Sequence, residues 1–196
     1  MVKTAGPKGS QVELILDCLR AASGQDYIGE DVSQLEHALQ CAFHASEAGG
    51  TEAQILAALF HDVGHWVQPD APQMAGLGVV SHEHVGADWL HEQGFSQEVS
   101  ALVRQHVEAK RYLVCRKPRY AAKLSEASRG TLAWQGGAMS DEEADAFEQN
   151  PFFGPILALR TWDERAKDPS AQVPNLRHYR RLIQSHLSRE TGEDVC

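Results

Sequence analysis

Ala57-Ala-Leu-Phe-His-Asp-Val-Gly-His65 sets a histidine directly beside an aspartate at the end of an apolar run. The run follows Thr51-Glu-Ala-Gln54, the capping-box pattern of a helix start, and no strand alternation competes with it. A helix is therefore expected to carry His61 and Asp62 at its C-terminal end. An imidazole and a carboxylate on neighbouring residues serve one metal centre only when other segments bring further ligands to it.

Working upstream, Ser33-Gln-Leu-Glu36 is a second capping box, opening a helix that carries His37 and stops at Gly49-Gly50. A tight turn between these two helices brings His37 toward His61. Val12, Ile15, Leu16 and Leu19 form one face of an earlier packing helix over 11–22, behind a polar, flexible N-terminus at 1–10. Downstream, 67–80 is rich in Pro and Gly and reads as a surface loop. Ser81 opens a helix through His82, Gly86 and Leu90 to Gly94, and Ser96 caps the next. The stripe of that helix is Val99, Leu102, Val103, His106 and Lys110. Short helical pieces and loops are expected over 112–137. Ser140-Asp-Glu-Glu143 then opens a helix that ends before Asn150-Pro151. Ile156, Leu159, Arg160 and Asp163 share the inward stripe of the following helix, and Leu176, Tyr179, Leu182, Ile183 and Leu187 that of the last. The expectation is an all-α fold, one domain over 1–196.

Composition narrows the function. A formal charge of −9, from 18 basic and 27 acidic residues, argues against a protein that covers a phosphate backbone. Cys18, Cys41, Cys115 and Cys196 lack zinc-knuckle or redox spacing and read as reduced thiols of a cytoplasmic protein. Neither a signal peptide nor a membrane span is evident, and no obligate protein partner.

His37, His61-Asp62, His82, His106 and Asp163 come from different helices, with inward phase wherever a period can be read. This set resembles the HD-domain superfamily, whose H…HD…D core is matched by His37, His61, Asp62 and Asp163. The resemblance implies that His82 and His106 complete a six-ligand site for two metals. His37, His61 and Asp163 then serve one ion, His82 and His106 the other, and Asp62 bridges. His84 is the alternative to His82; His82 is preferred because it stands four residues before Gly86. Imidazole and carboxylate ligands suit iron, manganese or zinc and do not choose between them.

Further motifs extend the likeness from Tyr27 to the last helix: Tyr27-x-x-Glu30 ahead of His37, His65 in His61-Asp-Val-Gly-His, Lys110 in Ala-Lys-Arg-Tyr-Leu, Ser125-x-x-Ser128, Gln135-Gly-Gly and Arg160-x-x-Asp163. Together they resemble the mixed-valent di-iron oxygenases that cleave the carbon–phosphorus bond of 1-hydroxy-2-aminoethylphosphonates. That likeness implies two irons as an Fe(II)/Fe(III) pair, O2 as co-substrate and a small-molecule phosphonate. Hydrogen leaves C1, and oxygenation there releases phosphate and leaves a carboxylate. Tyr27 and Glu30 match that family's lid, in which the tyrosine fills an open iron position until substrate displaces it and the glutamate then faces the amine. His65 joins them as a catalytic candidate.

A phosphonate dianion requires cations and donors, which Lys110, Arg160, His65, Ser125, Ser128 and Gln135 offer. The competing roles are ion pairing for Lys110 and Arg160 and helix capping for the two serines. On the amine, Trp66 beside His65 and Glu36 beside His37 tilt the reading slightly to a trimethylated substrate giving glycine betaine. Otherwise the substrate is the primary amine, giving glycine. The alternative activity is a metal-dependent phosphohydrolase acting on a phosphomonoester or nucleotide; a scaffold with a relict site stands behind both.

Overall fold

The computed structural model describes residues 8–27, 29–68 and 70–190, with side chains from residue 11 onward. The apolar spacing at Val12, Ile15, Leu16 and Leu19 becomes the buried face of α1 (Lys8–Ala21). That helix begins inside the expected N-terminal arm, whose first seven residues lie outside the described residues. Both capping boxes form as read: Ser33 and Glu36 close the start of α2 (Gln34–Glu47), and Thr51 and Gln54 that of α3 (Glu52–Phe60). Each box satisfies two backbone donors that the first helical turn leaves without partners.

After α3 the chain makes one turn and a four-residue helix, α4 (Gly64–Val67), then the loop that leads to α5 (His82–Glu92). Gly64 makes this junction possible. A Cβ there would lie 2.0 Å from the His82 carbonyl oxygen and 2.9 Å from Gly86 N, so the α5 backbone rests directly on the His-Asp turn. α6 (Gln97–Arg116) is capped by Ser96 and runs further than the sequence suggests, absorbing the start of the expected irregular stretch. Two shorter helices, α7 (Pro118–Ala121) and α8 (Glu126–Trp134), follow it. Ser140 and Glu143 cap α9 (Asp141–Glu148) as expected. α10 (Phe153–Arg165) and α11 (Leu176–Glu190) complete the described helices, and there is no named strand among the described residues.

The architecture is all-α. α2, α3, α5, α6 and α10 pack on one another to form the centre, with α1 and α11 against each other and against its flank. Burial of Leu56, Leu59, Phe60, Leu90, Leu102, Val103, Ile156 and Leu159 holds the bundle, at about 1.5–3 kcal/mol for each large apolar side chain. α2, the turn that ends α3, α5, α6 and α10 bring a set of buried polar groups to the centre: His37, His61, Asp62, His82, His106, Lys110, Arg160 and Asp163. No helix among the described residues is long and apolar enough to cross a membrane.

Candidate metal centre

His37, His61 and His106 have their tautomers set by the backbone. Nδ1 of His37 donates to the Ala166 carbonyl at 2.8 Å, Nδ1 of His61 to Ala58 at 2.9 Å, and Nδ1 of His106 to Val103 at 2.7 Å. A carbonyl only accepts, so in the neutral ring each Nε2 presents a lone pair. Yet Nε2 of His37 lies 3.1 Å from Nε2 of His61, and Nε2 of His82 lies 3.2 Å from Nε2 of His106. In the first pair both nitrogens are acceptors by this argument, and two acceptors buried face to face at that distance require positive charge between them.

The carboxylates divide between the two pairs. Oδ2 of Asp62 is 3.2 Å from His61 Nε2 and 3.6 Å from His37 Nε2, while its Oδ1 is 3.3 Å from His82 Nε2 and 3.7 Å from His106 Nε2. One oxygen therefore faces each pair. Asp163 Oδ1 joins the first, 3.4 Å from His37 and 3.9 Å from His61. Bonds of ~2.1 Å to one ion generate donor–donor edges of about 3.0–3.4 Å, close to these separations. The donor sets His37–His61–Asp62 and Asp62–His82–His106 thus fit two metal ions that share Asp62. With nitrogen and oxygen donors and no thiolate, iron, manganese and zinc all suit them.

Surrounding groups tune these ligands. Burial opposes ionisation of Asp163, but the Arg160 guanidinium, 2.5 Å from its Oδ2, holds the carboxyl well below the usual range. Burial first, and then the neighbouring His82 and His61, push His106 down, so its lone pair is free for a metal. His65 is stacked on His82 with ring centroids 4.0 Å apart; burial and His82 lower it to about 3. The Val79 N–H donates to His65 Nδ1 at 3.0 Å, which leaves the proton of this neutral ring on Nε2.

Beside the ligands lies a cavity of about 70 Å³ lined by Tyr27, Gln34, His65, Lys110, Ser128, Thr131, Gln135, Arg160 and Lys167. Lys110 Nζ donates to Thr131 Oγ1 at 2.8 Å, and burial with the nearby Arg160 lowers it to about 7. Tyr27 stacks on His37 at 3.8 Å, its hydroxyl 3.4 Å from Asp163 Oδ1, so the phenol stands at the first donor set. The Gln34 and Gln135 side-chain oxygens are buried and meet no donor.

An HD domain model matches residues 35–146 of this chain, more than half its length. The chain belongs to the HD-domain family. Its relatives there include phosphonate oxygenases. It is 38% identical over 186 residues to the glycine-betaine-forming 1-hydroxy-2-(trimethylamino)ethylphosphonate dioxygenase of Leisingera caerulea, covering 94% of each chain. It is 40% identical over 166 residues to the hydroxymethylphosphonate dioxygenase of Gimesia maris, covering 84% of this chain and 82% of that one. An uncharacterized protein of Acanthamoeba polyphaga mimivirus is 41% identical over 183 residues, covering 92% of this chain and 84% of its own.

Against this HD-domain site the remaining sequence candidates fall into place. His82 is buried with Nε2 beside Asp62 and His106, while the His84 side chain is 55% exposed. Tyr27, His65, Lys110, Ser128, Gln135 and Arg160 line the cavity. Trp66 does not: adjacent helical positions diverge by about 100°, so with His65 facing inward Trp66 turns into the apolar core beside Cys18. Glu36 is exposed, and its carboxylate accepts the Ser33 N–H at 2.7 Å as part of the α2 capping box. Ser125 caps α8, accepting the Ser128 N–H at 3.2 Å, and lines an outer cleft of about 340 Å³. Glu30 faces that outer cleft as well, paired with Lys167 at 2.7 Å. The tilt toward a methylated amine rested on Trp66 and Glu36, and the placement of both removes it.

Four polar residues of the cavity and its outer cleft escaped the sequence reading. Thr131 sits three residues past Ser128 on the same helical face, a spacing that offered a signal. Gln34, Tyr120, which accepts from Arg160 Nε at 2.9 Å, and Lys167, beyond the end of α10, offered none.

Proposed function

We propose that the chain catalyses the O2-dependent cleavage of the carbon–phosphorus bond of a 1-hydroxyalkylphosphonate at a pair of irons, and that its substrate is 2-amino-1-hydroxyethylphosphonate, converted to glycine and phosphate. Membership among HD-domain phosphonate oxygenases supports the reaction class. The primary amine is supported by one observation: Gln34 and Gln135 line the cavity, and the side-chain oxygen of each is buried without a donor. Buried acceptors without donors are costly, and an ammonium with three N–H groups satisfies them. A trimethylammonium donates nothing and prefers the faces of Trp, Tyr or Phe, of which Tyr27 alone among the described residues lines this cavity, already stacked on His37.

Bound irons would supply the redox chemistry and the site for dioxygen, held by His37, His61, Asp62 and Asp163 on one side and Asp62, His82 and His106 on the other. The chain's own residues bind and orient. Lys110 and the Ser128–Thr131 face of α8 receive the phosphonate oxygens, and Arg160 adds positive charge while keeping Asp163 ionised. His65, with its proton on Nε2, donates to an oxygen of substrate and cannot remove a proton through Nδ1, which Val79 occupies. Tyr27 covers the centre and must swing aside when substrate enters. The balance needs no external reductant: the substrate and O2 yield a carboxylate, phosphate and one proton. A cytoplasmic setting fits the free thiols Cys18, Cys41 and Cys115.

The test is to offer the iron-loaded protein, in air and under nitrogen, the primary amine, its N-trimethyl form and hydroxymethylphosphonate, and to measure phosphate. Phosphate is expected only with O2, in equal amount with glycine, and with kcat/KM highest for the primary amine. Equal phosphate release under nitrogen would make the protein a hydrolase.

A further inference from the structure

The four ligand histidines are not held alike. His61 and His106 give their Nδ1 proton to the carbonyl three residues back in the preceding helical turn, and His37 gives its own to Ala166. His82 is the first residue of α5 and has no helical turn behind it. Three residues back is Val79, which lies in the loop before α5 and not in a helical turn. Ser81 adopts a left-handed conformation, with φ 55° and ψ 34°, and its side chain makes no cap. Nδ1 of His82 is accordingly buried without a hydrogen-bond partner. It lies 3.4 Å from Oε2 of Glu83, another buried atom that has none. The other oxygen of Glu83 is 3.1 Å from Nδ1 of His84, on the solvent side.

Glu83 is buried and takes no part in either donor set. A carboxylate behind a ligand imidazole fixes the ring's tautomer and raises its basicity more than a carbonyl does. The two metal positions therefore differ in what stands behind them. The first is backed by backbone carbonyls behind both rings and by Arg160 behind Asp163; the second has one ring backed by a carbonyl and one faced at 3.4 Å by the Glu83 carboxyl group.

We propose that Glu83 is the positioning residue of His82 and that its carboxylate holds the second metal, the one taken by Asp62, His82 and His106. This rests on the two-metal reading above. It adds Glu83, as support, to the two histidines that separate a two-metal site from the simpler H…HD…D core.

The experiment is anaerobic calorimetric titration of ferrous iron into the metal-free protein, with thermal melting of each metal-free variant to show that the fold is kept. Two binding events per chain are expected. Glu83→Gln should weaken one of them about 10–100-fold and leave the other unchanged, the range usual for outer partners of ligand histidines. In a His106→Ala background, where the first ion alone remains, Glu83→Gln should change nothing. Should the glutamine variant melt early, Glu83→Asp serves as the second variant, with a smaller loss at the same event. Unchanged affinities, equal weakening of both events, or weakening that persists in His106→Ala overturns the role given to Glu83. A single event in the unaltered protein overturns it together with the two-metal reading. The titration uses no substrate, so two events with the expected selectivity in a protein that releases no phosphate would uphold Glu83 and overturn the proposed reaction.

Discussion

Glu30 Oε1 lies 2.7 Å from Lys167 Nζ, so the carboxylate on the turn above the metal centre is already held by a cation of the protein. Lys167 is well anchored for this. Its neighbour Ala166 accepts from His37, and Asp168 exchanges two hydrogen bonds with Gln40 at 3.0 and 3.1 Å. The Lys167 ammonium also stands 5.7 Å from the centroid of the Tyr27 ring.

On the reading in which Glu30 faces the substrate amine, Lys167 competes with that amine for the carboxylate. Lys167→Met should lower KM for 2-amino-1-hydroxyethylphosphonate several-fold and leave KM for hydroxymethylphosphonate, which has no amine, unchanged. Equal shifts for both would show that Lys167 serves the phosphonate instead.

Lys110 carries a linkage between function and stability. Its pKa falls from the usual lysine value to about 7 in the folded chain, so the unfolded chain binds more protons between that pH and the ordinary range. Stability of the metal-free protein should rise as pH rises through about 7 toward about 10, and the cost of burying the charge is fully present below 7. Lys110→Met should remove that cost, raising stability near pH 6 by ~1–3 kcal/mol while abolishing phosphonate binding. Thermal melts from pH 6 to 9 check the slope; an unchanged slope in the variant would show that Lys110 is not its source.

Gly78 sets the place of His65. It adopts φ +94°, and a Cβ on it would lie 2.5 Å from the His65 ring. Gly78→Ala should lower kcat at least ~10-fold, given the 10²–10⁴-fold usual for a positioned proton donor, with metal content retained. Loss of metal in this variant would show that His65 supports His82, on which it stacks, and not the substrate.

Trp66 should matter to the core and not to specificity. Trp66→Ala should cost about 3–5 kcal/mol of stability in denaturant titration. The milder Trp66→Phe should leave the ratio of kcat/KM for the primary and trimethylated amines unchanged.

The bundle and the convergence of its buried histidines and aspartates were legible because period and capping are local. Ser33, Thr51, Ser96 and Ser140 mark helix starts, and the inward phases of His106, Arg160 and Asp163 follow from 3.6 residues per turn. What the sequence withheld depends on orientation across a junction. Trp66 and Glu36 each adjoin an inward histidine, but one residue of helix turns a side chain by about 100°, and proximity along the chain was misleading for both. The Glu30–Lys167 pair spans 137 positions, and no periodicity reports a contact of that kind.

Gly64 gives the site a further property. Its Cα rests against the α5 backbone, so the interval between the two halves of the metal centre is a main-chain dimension that no side chain can reset. The opposite wall is built differently: no residue of α8, the helix that carries Ser128 and Thr131, is buried. Metal chemistry and substrate choice are thus inherited on separate terms. Under selection for a new phosphonate, substitutions should accumulate on α8 and around Lys167, while position 64 stays closed even to alanine.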